Sequence, residues 1–372
     1  PPPQEDSDVL LEQERAAGAH LEEHALVARE LRREFQPSTP GGPLKVAVGR
    51  LNLVLNHGEC FGLLGENGAG KTTLIKMLGA SLAPTSGSAH ICGFSTQTET
   101  AQVHRLLGFC PQHDVLWSRL TVREHLLLYA RLKGVSIRRE RELAQCALES
   151  VGLAPQADRL SSQLSGGMRR RLSVAIALVG DSQVVLLDEM TTGLDPASRR
   201  QLWHVLAAAR QGRAMLLTTH SMEEAELLCT RIGVMSSGLM NCIGTSQRLR
   251  AEYGAGSVLL LNFGNTPEAR GGALAFVSAT LPGAVLEREF EGQAVFHLPP
   301  RLASPRPEGS PAVNRLPTLA DIFREMAGGA EAAGITSWSV QQAGLEEVFL
   351  TVVERARAGV IRGRPKGFAI SP

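Results

Sequence analysis

At 372 residues the chain is long enough for about two to three domains, each with its own buried core, so no disulfide or metal staple is needed to hold it. A 43% hydrophobic and 20% charged composition is that of an ordinary globular protein, and a formal net charge of +1 gives no field that would gather a polyanion, which excludes bulk nucleic-acid binding on charge grounds. Cys60, Cys92, Cys110, Cys146, Cys229 and Cys242 form no C-x-x-C pair and read as reduced thiols, and no apolar run approaches the roughly 20 residues that span a bilayer.

In chain order, residues 1–23 are polar and Glu-rich and are expected to be a leader or linker, a tether or marginal helix rather than core. The chain opens on Pro1 without a signal peptide, which suggests a piece cut from a longer polypeptide or a processed one. Ala25 to Phe35 alternates in hydrophobicity and reads as an edge strand; Gln36 to Pro43 reads as an exposed loop, and Val46 to Leu55 as a second strand. From Glu59 the order is an apolar strand (CFGLLG), a Gly-rich turn and a helix over Thr72 to Leu78. Later come the strand VVLLD, a helix from Ala197 and a strand over Ala214 to His220. Strands separated by helices predict a mainly parallel sheet with both faces covered. The helix-rich stretch Thr121 to Val179 predicts an α-helical arm, a subdomain of about residues 115–180, on an α/β core over residues 24–255. After Gly256 the pattern strand, helix, strand, Pro-rich loop, helix, strand, helix predicts a small α+β unit of ferredoxin-like order over residues 256–357, with a disordered tail over 358–372.

Gly65-Glu66-Asn67-Gly68-Ala69-Gly70-Lys71-Thr72 fits G-x-x-x-x-G-K-[ST] in its required setting, after an apolar strand and at the opening of a helix. Glycines let the backbone fold so tightly that successive N–H groups point at phosphate oxygens, and the helix N-terminus adds positive potential. Lys71 is expected to bridge the β- and γ-phosphates, Thr72 to ligate Mg²⁺ through its hydroxyl, and Thr73 to donate to a phosphate. The buried strand Val184 to Leu187 ends in Asp188 and Glu189, two acids that strand alternation points in different directions. Asp188 is expected in the Mg²⁺ shell, and Glu189 as the carboxylate that polarises the attacking water. Taken alone, such a pair can equally begin a loop. Leu164-Ser165-Gly166-Gly167-Met168 precedes an apolar-periodic run: Ser165 is a good N-cap, Gly180 a helix stop, and the two glycines leave an uncrowded, anion-binding helix end.

Taken together, the motifs from Gly65 to His220 stand in the order of ABC-transporter ATPases, and the chain resembles that family. The resemblance implies a P-loop NTPase core of the ABC ATPase type with an antiparallel β edge and an α-helical subdomain. It also implies ATP and Mg²⁺ as cofactors, and roles for further residues. Gln112, in FCPQHDVL, matches the glutamine that touches Mg²⁺ and reports nucleotide state to the membrane domain; Asp195, in TGLDP, matches the D-loop; His220 matches the switch histidine that contacts the γ-phosphate. Ser165, Gly166 and Gly167 match the signature that serves ATP on the other half, and Phe35 stands where the family stacks an aromatic, often Tyr, on adenine. Met190 departs from the family, which has proline after the catalytic glutamate.

EDSDVLLEQER, GECFGLLGENGAGKTT, GGMRRRLSVAIALVG, HSMEEAELLCTRIGVM and SVQQAGLEEVFL are similar to the A subfamily of full-size lipid transporters, specifically to their second nucleotide-binding domain with its C-terminal regulatory domain. What this implies is an ATPase at the cytoplasmic face of a membrane. Its partners would be the transmembrane domains and the other nucleotide-binding domain of the same transporter, with the lipid handled by the membrane part and no nucleic acid bound. The alternative is the ATPase subunit of a prokaryotic-type drug or polymer exporter. Three further signals carry less. His20-Leu21-Glu22-Glu23-His24 fits the zinc pattern H-x-x-E-H but is better explained as a solvated helical face. Cys110-Pro111-Gln112-His113 has no second ligand pair, and Arg169, Arg170 and Arg171 are expected to spread over a helix surface.

Overall fold

The computed structural model describes residues 6–36, 44–180, 182–254, 257–264, 266–281, 283–290, 292–298, 319–342 and 344–358. Residues 37–43 of the loop expected at Gln36 to Pro43, the Pro-rich loop at 299–317 and the tail after 358 lie outside the described residues. Helix α1 (Ser7–Gly18) is followed by β1 (Leu26–Phe35), β2 (Lys45–Leu55), β3 (Cys60–Gly65), α2 (Lys71–Leu78), β4 (Ser86–Ile91), β5 (Phe94–Ser95), α3 (Thr100–Leu106) and β6 (Leu107–Cys110). Next come α4 (Val122–Leu132), α5 (Ile137–Ser150), α6 (Gly166–Leu178), β7 (Val184–Asp188), α7 (Pro196–Ala209), β8 (Ala214–Thr219), α8 (Met222–Leu228), β9 (Arg231–Ser236) and β10 (Leu239–Gly244). The remainder is α9 (Ser246–Tyr253), β11 (Ser257–Phe263), α10 (Pro267–Thr280), β12 (Val285–Phe290), β13 (Gln293–Leu298), α11 (Leu319–Gly329), β14 (Ile335–Gln342) and α12 (Leu345–Arg357). The chain divides into two compact units, residues 1–245 with 353–372, and residues 246–352.

In the first unit a six-stranded sheet has the order β10-β9-β3-β8-β7-β6, parallel throughout except where β10 turns back on β9. Every residue of β3, β7 and β8 is buried, as a strand covered on both faces requires. Alternation sorts their side chains. Val185, Leu187, Met215 and Leu217 face the helical arm and α7, while Leu63, Leu186 and Leu216 face α2 and the second sheet. Thr121 starts α4 with a capping box closed by Glu124, and Ser165 caps α6 by accepting from the Met168 N–H at 3.3 Å.

The second sheet is antiparallel with the order β2-β1-β4-β5, so β1 is not the edge strand its alternation suggested; it pairs with β2 on one side and β4 on the other. The consecutive buried positions Leu26, Val27 and Ala28 show that β1 is also covered on both faces. The leader also differs from a tether. Asp6 caps α1, Ala16 packs on Val27 and Val54, and Glu12 is 5% exposed. Its carboxylate accepts from the Val54 N–H at 2.8 Å and meets Arg231 at 2.5 Å, and Arg231 in turn reaches Glu59 at 3.0 Å. His20 to His24 sits in a turn after α1 rather than on a helix, with His24 Nδ1 3.0 Å from Asn56 Oδ1.

In the second unit the order β11-α10-β12-β13-α11-β14 and the antiparallel sheet β12-β13-β11-β14 give the expected ferredoxin-like arrangement. Leu259, Leu261, Phe263, Phe296 and Leu298 project from one sheet face to pack with Ala273 and Val277 of α10 and Met326 of α11.

Candidate nucleotide site

Adjacent parallel strands β3, β8, β7 and β6 each deliver a candidate residue at the C-terminal end. The P-loop follows β3, His220 follows β8, Asp188 ends β7 with Glu189 next, and Gln112 stands just past β6. Open α/β sheets bind ligands in the crevice beyond the carboxyl ends of their strands, which makes this crevice the candidate site.

The P-loop backbone needs its glycines for two reasons. Gly68 and Gly70 have φ of +82° and +108°, and a Cβ on Gly70 would lie 2.2 Å from the Ala47 carbonyl oxygen. Gly70 opens α2, so the turn ends at a helix N-terminus. Thr72 and Thr73 occupy its first turn. Lys71 is 5% exposed; its Nζ donates to the Gly65 carbonyl at 2.7 Å and the Glu66 carbonyl at 3.1 Å, and lies 3.7 Å from Glu189 Oε1. The Gln112 amide Nε2 donates to Glu189 Oε2 at 2.9 Å. Three of the sequence candidates thus meet at one carboxylate.

Glu189 is directed there by backbone geometry rather than by strand alternation. β7 stops at Asp188, and Glu189 adopts φ +44°, a left-handed conformation that a non-glycine residue holds only when its surroundings over-determine it. Its N–H meets the Thr218 carbonyl and hydroxyl oxygens, each at 3.1 Å. The Thr218 hydroxyl lies 2.6 Å from Asp188 Oδ1, which is 2% exposed. One threonine on β8 therefore aligns both acids. Met190, where proline was expected, is fully buried in the core, and its carbonyl accepts from Arg170 Nε at 2.6 Å.

The signature and the D-loop lie side by side. Asp195 caps α7 by accepting from the Ser198 N–H at 3.0 Å; hydrogen bonding from the Ser198 side chain, then from its backbone, holds the Asp195 carboxyl below the usual range, and Pro196 fills the first helical position. A Cβ on Gly167 would lie 3.2 Å from Ser198 Oγ, whereas the space around Gly166 is open. No hydrogen bond joins Ser165, Gly166 or Gly167 to the P-loop among the described residues. His220 is exposed at the end of β8, and Ser221 after it caps α8. Phe35 is 36% exposed, with the Arg33 guanidinium 4.9 Å over its ring. It pairs with Lys45 across the sheet, and Ala47, two residues on, is the carbonyl that abuts Gly70.

For Mg²⁺ the candidate donors are all oxygens, the Thr72 hydroxyl, the Asp188 carboxylate and the Gln112 side-chain carbonyl, and these suit a hard cation. Gln112 commits its N–H to Glu189, which turns its amide oxygen into the acceptor atom. The residues fit the ion. Burial pushes the Cys110 thiol up to about 12.

Sequence reading missed three polar residues that hold the site. Thr218 has no signal beyond its place in a strand. Arg170, expected on a surface, is 4% exposed. Glu224 on α8 is fully buried, accepting from Thr191 Oγ1 and Trp203 Nε1, both at 3.2 Å, and burial raises its carboxyl. A helix turn with two adjacent glutamates, Glu223 and Glu224, gave no cue as to which faces inward.

Comparison with known proteins agrees with this geometry. The sequence profile of the family described as "ABC transporter" matches residues 48–192. ATP-binding cassette sub-family A member 7 of Mus musculus is 43% identical over 351 residues, 93% of this chain and 15% of that protein. Phospholipid-transporting ATPase ABCA7 of Homo sapiens is 42% identical over 351 residues, again 93% and 15%. The chain thus spans about 15% of the length of these relatives. The fold is shared with the dimeric ATP-binding cassette MJ0796, solved in a post-hydrolysis state bound to ADP and Pi, at TM-score 0.54 and 24% identity over 59% of this chain and 98% of that one. Residues 48–192 are an ABC transporter ATPase domain, and over 93% of its length the chain is similar to members of the A subfamily.

Proposed function

We propose that this chain is the ATP-hydrolysing engine of a transporter that moves phospholipid or sterol across a membrane, working at the cytoplasmic face through ATP-driven pairing of two such domains. The observation that carries the enzymatic part is the meeting of Lys71 and Gln112 at the Glu189 carboxylate, 3.7 Å and 2.9 Å away. The lipid part rests on the human relative's name, a phospholipid-transporting ATPase. Among the described residues no helix is long and apolar enough to cross a membrane, so translocation falls to transmembrane domains as partners. Residues 256–357 are taken as the regulatory domain.

In the mechanism that follows from these positions, backbone N–H groups from Gly65 to Thr73 receive the phosphates of ATP. Lys71 exchanges its carbonyl partners at Gly65 and Glu66 for β- and γ-phosphate oxygens. Phe35 offers its ring face to adenine. Glu189 accepts a hydrogen bond from water and holds it for in-line attack: the water oxygen bonds to the γ-phosphorus, the bond to the β–γ bridging oxygen breaks, and the proton passes through Glu189 to the phosphate released. His220 donates to the γ-phosphate. Mg²⁺, held by Thr72, Asp188 and Gln112, supplies neutralisation of phosphate charge. Ser165, Gly166 and Gly167, with open space at Gly166, present their helix end to ATP on the partner domain, and Asp195 lines the same seam.

Replacing Glu189 by Gln tests the assignment. Binding of ATP should stay within about threefold of wild type while turnover falls by about 10²–10⁴, the range for loss of a general base; normal hydrolysis by Glu189→Gln would remove Glu189 from that role.

A further inference from the structure

Arg170 sits in the first half of α6 and is 4% exposed, a position where an unpaired cation would be very costly. It is fully engaged. Its Nε donates to the Met190 carbonyl at 2.6 Å and its Nη2 to the Asp188 carbonyl at 3.1 Å, so the two bonds bracket Glu189 from the residues on either side. Its Nη1 donates to the Pro111 carbonyl at 2.6 Å and to Asp114 Oδ1 at 3.2 Å, on either side of Gln112. Asp114 is held in turn by the Ser173 hydroxyl at 2.8 Å, one helical turn beyond Arg170. One planar guanidinium therefore joins three segments: the helix that follows the signature, the turn that carries Glu189, and the loop that carries Gln112.

We infer that Arg170 is a positioning residue for hydrolysis, holding the Glu189 turn and the Gln112 loop at fixed separation so that the two side chains meet. The inference rests on the reading of Glu189 as the water-polarising group. The backbone supplies the reason a brace is needed. Glu189 has φ +44°, and an L-residue left to relax would leave that region, swinging its carboxylate away from Gln112 and Lys71. The Thr218 bonds fix the Glu189 N–H and the Asp188 carboxylate; the carbonyls before and after Glu189 are held by Arg170. A lysine cannot replace this, because an ammonium is a point charge and does not present donors in a plane to carbonyls on two segments.

The test uses the full chain with Arg170→Lys, Arg170→Met and Asp114→Asn, measuring ATP affinity, kcat and KM, and thermal melting, with Glu189→Gln alongside. Arg170→Lys is expected to lower kcat by at least tenfold with ATP affinity within threefold of wild type. Arg170→Met is expected to lower kcat further. Asp114→Asn, which keeps the three carbonyl bonds, is expected to lose no more than about threefold. If Arg170→Met does not fold, the Lys and Asn variants carry the comparison. Either of two results overturns the inference: Arg170→Lys turning over within twofold of wild type while Glu189→Gln is inactive, or ATP affinity and kcat falling in equal measure, as a merely structural lesion would produce. If Glu189→Gln is itself as active as wild type, the reading of Glu189 fails and the inference falls with it.

Discussion

Single residues decide this site through backbone geometry as much as through chemistry. Gly70 has φ +108° and a carbonyl 2.2 Å from where a Cβ would stand, so Gly70→Ala must displace either the P-loop or β2. Its ATP affinity should fall at least tenfold in equilibrium titration, with the melting temperature lowered by the strain of about 1–3 kcal/mol that such a conformation stores. Glu224 makes a different prediction. Burial raises its carboxyl above the ordinary 4.5, and a group whose folded-state value is raised stabilises the protein below its unfolded value and loses that contribution as pH climbs through the folded one. Glu224→Gln keeps the shape and both hydrogen bonds without the charge, so it should melt above wild type at about pH 8, with the gap closing as pH falls toward 4.5. A melting profile that runs parallel to wild type across that window would show that Glu224 is not the group that titrates. The glycines and both acids were legible in the sequence because their spacing is tied to backbone chemistry. Arg170, Thr218 and Glu224 were not, since nothing local distinguishes a buried polar side chain from a solvated one on the same helix or strand.

Among the elements, the parallel strands were the most readable, because burial on both faces leaves an unbroken apolar run such as VVLLD. Strand neighbours were not: β1 alternates like an edge strand yet pairs on both sides, and pairing is decided by residues distant in sequence. Helix α1 shows the same limit. Its polar, acidic sequence suits a tether, but Glu12 finds Val54 and Arg231, partners 42 and 219 positions away. Removing Glu12 leaves the buried Val54 N–H without its acceptor and Arg231 with Glu59 alone, so Glu12→Ala should destabilise the first unit by about 1–3 kcal/mol. Denaturant unfolding checks this. A loss below about 1 kcal/mol, the usual worth of an exposed ion pair, would mean that α1 does not brace β2 and β9 as the contacts indicate.

At the scale of the whole molecule, the P-loop, Gln112, Asp188-Glu189 and His220, far apart along the chain, come together at the C-terminal ends of adjacent parallel strands, while the signature and Asp195 lie beside each other at the starts of α6 and α7. The sequence order carried the resemblance to ABC-transporter ATPases, because each motif ends a strand or opens a helix of this unit. It was not sufficient to separate the units, where α9 falls with the second unit at residue 246 although composition changes only near 256. Every functional step described here depends on the backbone cradle and Lys71 holding a triphosphate. The most direct measurement is equilibrium binding of ATP to the full chain with and without Mg²⁺, in wild type and Lys71→Ala. Wild type should bind saturably and more tightly with Mg²⁺, and Lys71→Ala should lose at least tenfold, the equivalent of about 1.4 kcal/mol or more of phosphate contact. Binding that ignores Mg²⁺, or a Lys71→Ala variant that binds as wild type does, would contradict it.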